Sequence, residues 1–163
     1  TTFLESSGSL GMSINFNSSS IKLIFCLFTS NSELANSIIS LSDSSLIISF
    51  ASFTLDSIIH CSGGAQTKIL HFIDNLHVIK DNLFEIPIVF DLIQSESSTS
   101  WKEMYQVFNM GHRMELYVDN KYSNEIIKIS KSFGVDAKVI GRVESSTEKK
   151  LTISSKYGKF EYK

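Results

Sequence analysis

The chain has 163 residues, of which 42% are hydrophobic, and its 15 basic and 17 acidic side chains leave a formal net charge of -2. This length predicts one domain, or one domain with an appendage, and the hydrophobic fraction is sufficient for a core. The small net charge, with no block of Lys or Arg longer than two residues, gives no electrostatic basis for nucleic-acid binding.

Cysteine content and apolar runs exclude further classes of protein. Cys26 and Cys61 form neither a disulfide framework nor a zinc-binding set. The longest apolar runs, residues 23–28 and 46–53, are much shorter than the ~18–20 residues of a transmembrane helix. The first residues lack the basic start of a secretory signal. We therefore expect a cytoplasmic protein with no membrane partner.

Composition changes sharply near residue 58. Residues 1–57 contain 17 Ser and one Lys, and the rest of the chain holds all four His, all five Tyr, the Trp and the Pro. The apolar runs at residues 21–29 and 46–54 could be strands, or this part could be poorly folded, aggregation-prone or not a faithful domain sequence. We leave residues 1–57 unassigned and expect an ordered domain over residues 58–163.

Helix and strand signals follow in order after that change in composition. The apolar spacing in residues 65–73 is compatible with a short helix, and Leu76–Lys80 is a strand candidate. Pro87 favours the first turn of a helix over about residues 87–95, because proline has no N–H to leave unpaired there. This stretch therefore predicts a helix, a strand and a second helix.

The later part of the chain predicts two more helices and four strands. Ser100 can cap a helix over about residues 101–108, and a helix that opens at Asn120 or Ser123 ends at Gly134. Strands are predicted at residues 113–118, 135–145 and 151–155, with a last short strand after the turn at 157–159. Helices and strands alternate around antiparallel pairings, so we expect an α+β fold with a mixed or antiparallel sheet and helices packed on one face.

Two glycine-containing loops carry the candidate binding residues. These residues are His60, Ser62, Gly63 and Gly64 in the first loop and Asn109 and Gly111 in the second. Glycine lets the backbone approach a ligand closely, and N–H groups at the start of a helix can bind a phosphate or a carboxylate. The side-chain amide of Asn109 can donate and accept hydrogen bonds at once.

Structural alternatives remain open for both loops. The first loop lacks the Gly-Lys-Ser/Thr ending of a nucleotide-binding P-loop and could be an ordinary turn from strand to helix. Asn109 could equally cap the helix before it. His71 and His77 are six residues apart, which does not fit a metal-binding pair, and no pair of carboxylates indicates acid–base catalysis. The sequence therefore assigns no catalytic residue and no metal ligand.

Three ordered motifs between about residues 58 and 162 resemble one enzyme family. The similar segments are His60-Cys61-Ser62-Gly63-Gly64 (family His-x-Thr/Ser-Gly-Gly), Glu103-Met104 with Phe108-Asn109-Met110-Gly111 (family E-M…F-N-M-G) and Ile140-Gly141-Arg142-Val143 (family I-G-x-V). Together they resemble the C-terminal domain of aminoimidazole ribonucleotide (AIR) synthetase, also called phosphoribosylformylglycinamidine cyclo-ligase.

The resemblance implies an ATP-dependent enzyme of de novo purine biosynthesis that converts formylglycinamidine ribonucleotide to aminoimidazole ribonucleotide. It implies that the active cleft lies between an N-terminal ATP-binding domain and this C-terminal domain, and from their chemistry we predict that the six loop residues bind the substrate there. It also implies that ATP and Mg²⁺ are bound mainly by an N-terminal domain that this chain lacks. A small-molecule ribonucleotide is the expected partner, with neither nucleic acid nor a membrane, and the full-length enzyme is expected to be a homodimer.

The sequence also departs from the family pattern. Ala65 stands where the family has a third Gly, and nothing in residues 1–57 matches the family's His-Ser-Asn-Gly segment. The Gly-rich and Asp-rich nucleotide and metal segments of the family are not found. We therefore expect an incomplete C-terminal domain that is inactive alone. Two alternatives remain: a ligand-binding or regulatory module of a related ATP-dependent synthase or kinase, and a non-functional translated fragment.

Overall fold

The computed structural model describes residues 22–28 and 55–163, and the strands of this part form one seven-stranded mixed sheet. The strands are β1 (Lys22–Phe28), β2 (Leu55–His60), β3 (Leu76–Lys80), β4 (Met114–Asp119), β5 (Asp136–Ser145), β6 (Lys150–Ser155) and β7 (Gly158–Tyr162). Their order across the sheet is β2-β4-β1-β5-β3-β6-β7. Neighbouring strands are antiparallel, except that β3 and β6 are parallel.

The helices agree with the local signals in the sequence. They are α1 (Ile88–Ser97), α2 (Trp101–Val107) and α3 (Ser123–Ser132), with 3-10 helices at Ala65–His71 and Asn120–Tyr122. Pro87 immediately precedes α1. Ser100 caps α2, since its side-chain oxygen accepts from the backbone N–H of Glu103 at 3.2 Å. The predicted α+β class is confirmed.

The helices pack against both faces of the sheet. Tyr117 of β4 lies in a core cluster with residues of α2 and the first 3-10 helix, whereas its neighbours Leu116 and Val118 lie in a second cluster with Ile126 of α3. Successive side chains of a strand point to opposite faces, so both faces of β4 are apolar. The expectation of helices on one face therefore holds for α1 and α2, while α3 covers the other face.

Strand β1 occupies an interior position in the sheet, between β4 and β5. Lys22 pairs with Asp119 of β4, and Phe28 pairs with Asp136 of β5. Of the alternatives left open for residues 21–29, the structure shows a strand over Lys22–Phe28, and the run at residues 46–54 lies outside the described residues. The serine-rich part thus contributes a strand to the sheet, while the division of the chain near residue 58 stays a prediction.

A close approach of backbones fixes the contact between β3 and β5. A β-carbon on Gly141 of β5 would lie 1.9 Å from the carbonyl oxygen of Ile79 in β3. Gly141 is paired with Lys80, the last residue of β3. Glycine is therefore required at this place in the Ile-Gly-Arg-Val motif, directly beside Lys80.

Within residues 22–28 and 55–163, none of the helices has the length and apolar character needed to span a membrane.

Candidate functional site

The two predicted loops lie side by side because the strands next to them are paired. The first loop (residues 60–64) begins at the last residue of β2, and the second loop (residues 108–113) leads into β4. His60 is paired with Met114 in the antiparallel ladder of β2 and β4. The backbone N–H of Cys61 continues this contact, donating to the carbonyl of Arg113 at 2.9 Å.

Asn109 joins the two loops through its side chain. Its Nδ2 donates to the Cys61 carbonyl at 3.4 Å, and its Oδ1 accepts from the backbone N–H of Gly111 at 3.0 Å. Both ends of the amide are therefore engaged within the protein, as is the N–H of Gly111. The side chain of Asn109 therefore ties the two loops together. The residue in the cap position at the C-terminal end of α2 is Phe108 and not Asn109. The substrate-binding roles of Asn109 and Gly111 stay predictions.

An open cleft of about 650 Å³ lies against the first loop. Its lining residues are Gly63, Gly64, Thr67 and His71 on one side and Ser100, Lys102, Glu103, Gln106 and Val107 of the α2 region on the other. Two of the six predicted site residues thus line it, and Asn109 and Gly111 are not among the lining residues.

Gly63 and Gly64 line this cleft and have open space beside their backbone. A β-carbon on Gly63 or Gly64 would meet no atom within 4 Å, and Gly64 has a φ of +75°, which favours glycine. Neither N–H group donates to another residue in the part of the chain that the structure describes. Two adjacent N–H groups are therefore available to an anionic ligand.

Lys68 brings a positive charge to the first loop. Its Nζ donates to the Ser62 side chain at 2.8 Å and to the His60 carbonyl at 3.2 Å. An ammonium group has three donors, so one remains for a ligand. Lys68 was not among the binding residues predicted from the sequence. Its place in the helix that directly follows the glycine loop was the signal that could have indicated it.

A buried ionic network lies beneath the loops. Lys80 and Glu115 form an ion pair at 2.6 Å, with side chains 0% and 1% exposed. Lys80 also donates to the backbone oxygen and Oε1 of Gln66, and Glu115 accepts from the hydroxyl of Tyr117. Gln66 Nε2 in turn donates to the carbonyl of Asn109 at 2.9 Å. The network therefore connects β3 and β4 to both loops.

His112 in the second loop is buried in its neutral form. Desolvation by burial, and then the positive charges of Lys80 and Lys138, lower its pKa from 6.5 to about 3. Its Nε2 accepts from the backbone N–H of Phe84 at 3.4 Å. Its Nδ1 has no hydrogen-bond partner among the described residues. His112 is therefore uncharged at neutral pH and does not supply positive charge to the loops.

No three or more His, Cys, Asp or Glu side chains come together to hold a metal ion within the described ranges. The part of the chain that the structure describes thus shows no such cluster of ligands for Mg²⁺.

Comparison with known families decides the class of this domain. The family model described as AIR synthase related protein, C-terminal domain, matches residues 73–154, about half of the chain. The chain belongs to this family. The resemblance predicted from the three motifs is confirmed, and the match includes the second loop and the Lys80–Glu115 pair.

Curated relatives of this AIR synthase related domain carry the name of the predicted enzyme. The chain is 32% identical over 112 residues to the phosphoribosylformylglycinamidine cyclo-ligase of Syntrophus aciditrophicus, an alignment covering 63% of the chain and 30% of that relative. It is 36% identical over 89 residues to the Methanocaldococcus jannaschii enzyme, covering 55% and 25%. The chain spans less than a third of the length of these relatives.

Solved structures with the same fold have other names. E. coli HypE, a hydrogenase maturation protein, has a TM-score of 0.57 at 14% identity, covering 89% of this chain and 50% of that chain. Phosphoribosylformylglycinamidine synthase II from Thermotoga maritima has a TM-score of 0.58 at 12% identity, covering 93% and 26%. At these identities the likeness shows the fold alone.

Proposed function

We propose that this domain is the substrate-binding part of an ATP-dependent cyclo-ligase that converts formylglycinamidine ribonucleotide to aminoimidazole ribonucleotide in de novo purine biosynthesis. The names of the curated relatives support this activity. The observation that carries the binding role is that Gly63 and Gly64 line the cleft and that neither of their N–H groups donates to another described residue.

The cleft suits the phosphate group of a ribonucleotide. The N–H groups of Gly63 and Gly64 can donate to phosphate oxygens, and the remaining donor of Lys68 supplies positive charge beside them. Lys102 lies on the α2 side of the same cleft. Binding the phosphate in this way would hold the formylglycinamidine end of the substrate in one orientation, and such positioning can itself contribute to the rate.

The ring closure itself needs groups beyond these residues. In the proposed reaction ATP phosphorylates the formyl oxygen, an amine nitrogen of the substrate attacks that carbon, and phosphate leaves. We propose that ATP and Mg²⁺ are bound mainly by another part of a complete enzyme. Homodimer formation by the complete enzyme and its cytoplasmic location stay predictions.

The test is a calorimetric titration of the full chain with formylglycinamidine ribonucleotide and with the matching nucleoside, which lacks the phosphate. We expect the nucleoside to bind at least about tenfold more weakly, because it loses charge-assisted hydrogen bonds. Equal affinities would refute phosphate recognition by the cleft. Absence of binding by both compounds would refute the binding role and favour a non-functional fragment.

A further inference from the structure

The ammonium group of Lys80 has all of its donors satisfied inside the protein. It donates to Glu115 Oε1 at 2.6 Å, to the Gln66 backbone oxygen at 2.8 Å and to Gln66 Oε1 at 3.0 Å. Lys80, Glu115 and Gln66 are all buried, at 0%, 1% and 0% exposure. An ion pair this deeply buried requires such complete pairing, because each unpaired charge or polar atom would be costly.

Gln66 transmits this anchoring to both loops. It follows Gly64 by two residues, so holding its backbone oxygen and side chain on Lys80 fixes the chain just after the two open N–H groups. Its Nε2 donates to the Asn109 carbonyl, and Asn109 is tied to Cys61 in the first loop. The contacts therefore form a continuous path from Lys80 to both ends of the first loop.

We infer that Lys80 and Gln66 are positioning residues, which hold the Gly63 and Gly64 N–H groups in the arrangement that binds the ligand. The inference rests on the proposed binding role of the cleft. The competing explanation is that the Lys80–Glu115 pair only stabilises the fold. The two explanations differ for a variant that still folds but lacks the contacts of Lys80 and Gln66. Positioning requires the first loop to change in that variant, whereas a purely structural role leaves the loop unchanged.

Two variants of the full chain separate these explanations. Gln66→Met removes the side-chain contacts to Lys80 and Asn109 and leaves the ion pair intact. Lys80→Met combined with Glu115→Leu replaces both charges with apolar groups of similar size, a change that often preserves stability, whereas either single change would leave a buried unpaired charge. Thr152→Val is the control: Thr152 is also buried, and its hydroxyl is hydrogen-bonded to His77, which lies on the opposite face of β3 from Lys80.

The readouts are the amide NMR signals of Gly63 and Gly64, their hydrogen exchange, the melting temperature and the affinity for formylglycinamidine ribonucleotide. We expect both test variants to shift these two signals, to accelerate their exchange and to weaken binding about tenfold. Thr152→Val should alter the melting temperature and leave the loop signals and the affinity unchanged.

Unchanged loop signals in the folded test variants would overturn the inference and leave the ion pair with a structural role only. If the wild-type chain does not bind the ribonucleotide, the proposed function fails. The positioning role is then still decided by the Gly63 and Gly64 signals, so the two failures are distinguishable.

Discussion

The side-chain amide of Asn109 joins the two loops of the site by donating to the carbonyl of Cys61, 48 positions earlier in the chain. The same amide accepts from the N–H of Gly111 and so fixes the turn that follows. The sequence left open whether Asn109 binds the ligand or caps a helix. In the structure its side chain connects the two loops.

Asn109→Ala should therefore reduce stability. Loss of two hydrogen bonds in a half-buried loop is expected to lower the free energy of unfolding by about 1–3 kcal/mol, measured by chemical denaturation. Asn124→Ala, at an exposed position of α3, is the matched control and should have little effect. Unchanged stability of Asn109→Ala together with weakened ribonucleotide binding would instead make Asn109 a ligand contact.

Gly141→Ala should be strongly destabilising. The added β-carbon would overlap the carbonyl of Ile79, which is backbone in a paired strand and cannot rotate away. We expect a cost at or above the upper end of the roughly 1–3 kcal/mol typical of overpacking. Gly63→Ala is the control, because its β-carbon enters open space. Equal stability of the two variants would contradict the close approach of β3 and β5.

His112 should make the fold sensitive to acid. Its pKa is about 3 in the folded chain and near 6.5 when exposed, so between these values the unfolded chain binds a proton that the folded chain does not. Stability is therefore highest above pH 6.5 and falls with decreasing pH, by up to about 1.4 kcal/mol per pH unit within this window.

The contribution of His112 can be isolated by comparing pH profiles. His77 also has a lowered pKa, mainly through burial, and acts in the same direction. Denaturation of the wild type and of His112→Leu between pH 7 and pH 5 should show a smaller slope in the variant. Parallel profiles would mean that folding does not lower the pKa of His112.

Local signals made most of the secondary structure predictable. Pro87 and Ser100 mark helix starts, and Gly134, with a φ of +72°, ends α3, because each imposes a conformation on its own neighbours. The interior position of β1 could not be predicted in this way. Strand order depends on pairing between residues far apart in the chain, and the serine-rich sequence around β1 carries no signal for its partners.

The buried network of Lys80, Glu115 and Gln66 also depends on contacts between residues far apart in the chain, which local sequence signals do not predict. Charged residues in strands usually face solvent, so Lys80 and Glu115 were not selected. The alternation of side chains along each strand did carry a signal. Lys80 lies on the same face of β3 as buried Val78, and Glu115 lies on the same face of β4 as buried Tyr117. Only the fold, which brings β3, β4 and the first 3-10 helix together, shows that the two charges meet.

Lys68→Met should weaken ribonucleotide binding about tenfold with little change in stability, because its ammonium group lies beside the loop at an exposed site. Lys131→Met is the matched control, since Lys131 is an exposed lysine in the last turn of α3, the helix that packs against the opposite face of the sheet. Titration calorimetry on both variants is the measurement. An equal effect of the two substitutions would show that only the net charge matters.

The most direct test of the cleft is an NMR titration of the full chain with formylglycinamidine ribonucleotide, observing the amide signals of Gly63 and Gly64. In the wild type we expect both signals to move more than those of glycines away from the cleft, such as Gly158. Gly63→Val should keep the melting temperature within about 3 °C, since its β-carbon enters open space, and should abolish these shifts by blocking the approach of the phosphate. Binding of the ribonucleotide by Gly63→Val with wild-type affinity would contradict phosphate binding at Gly63 and Gly64.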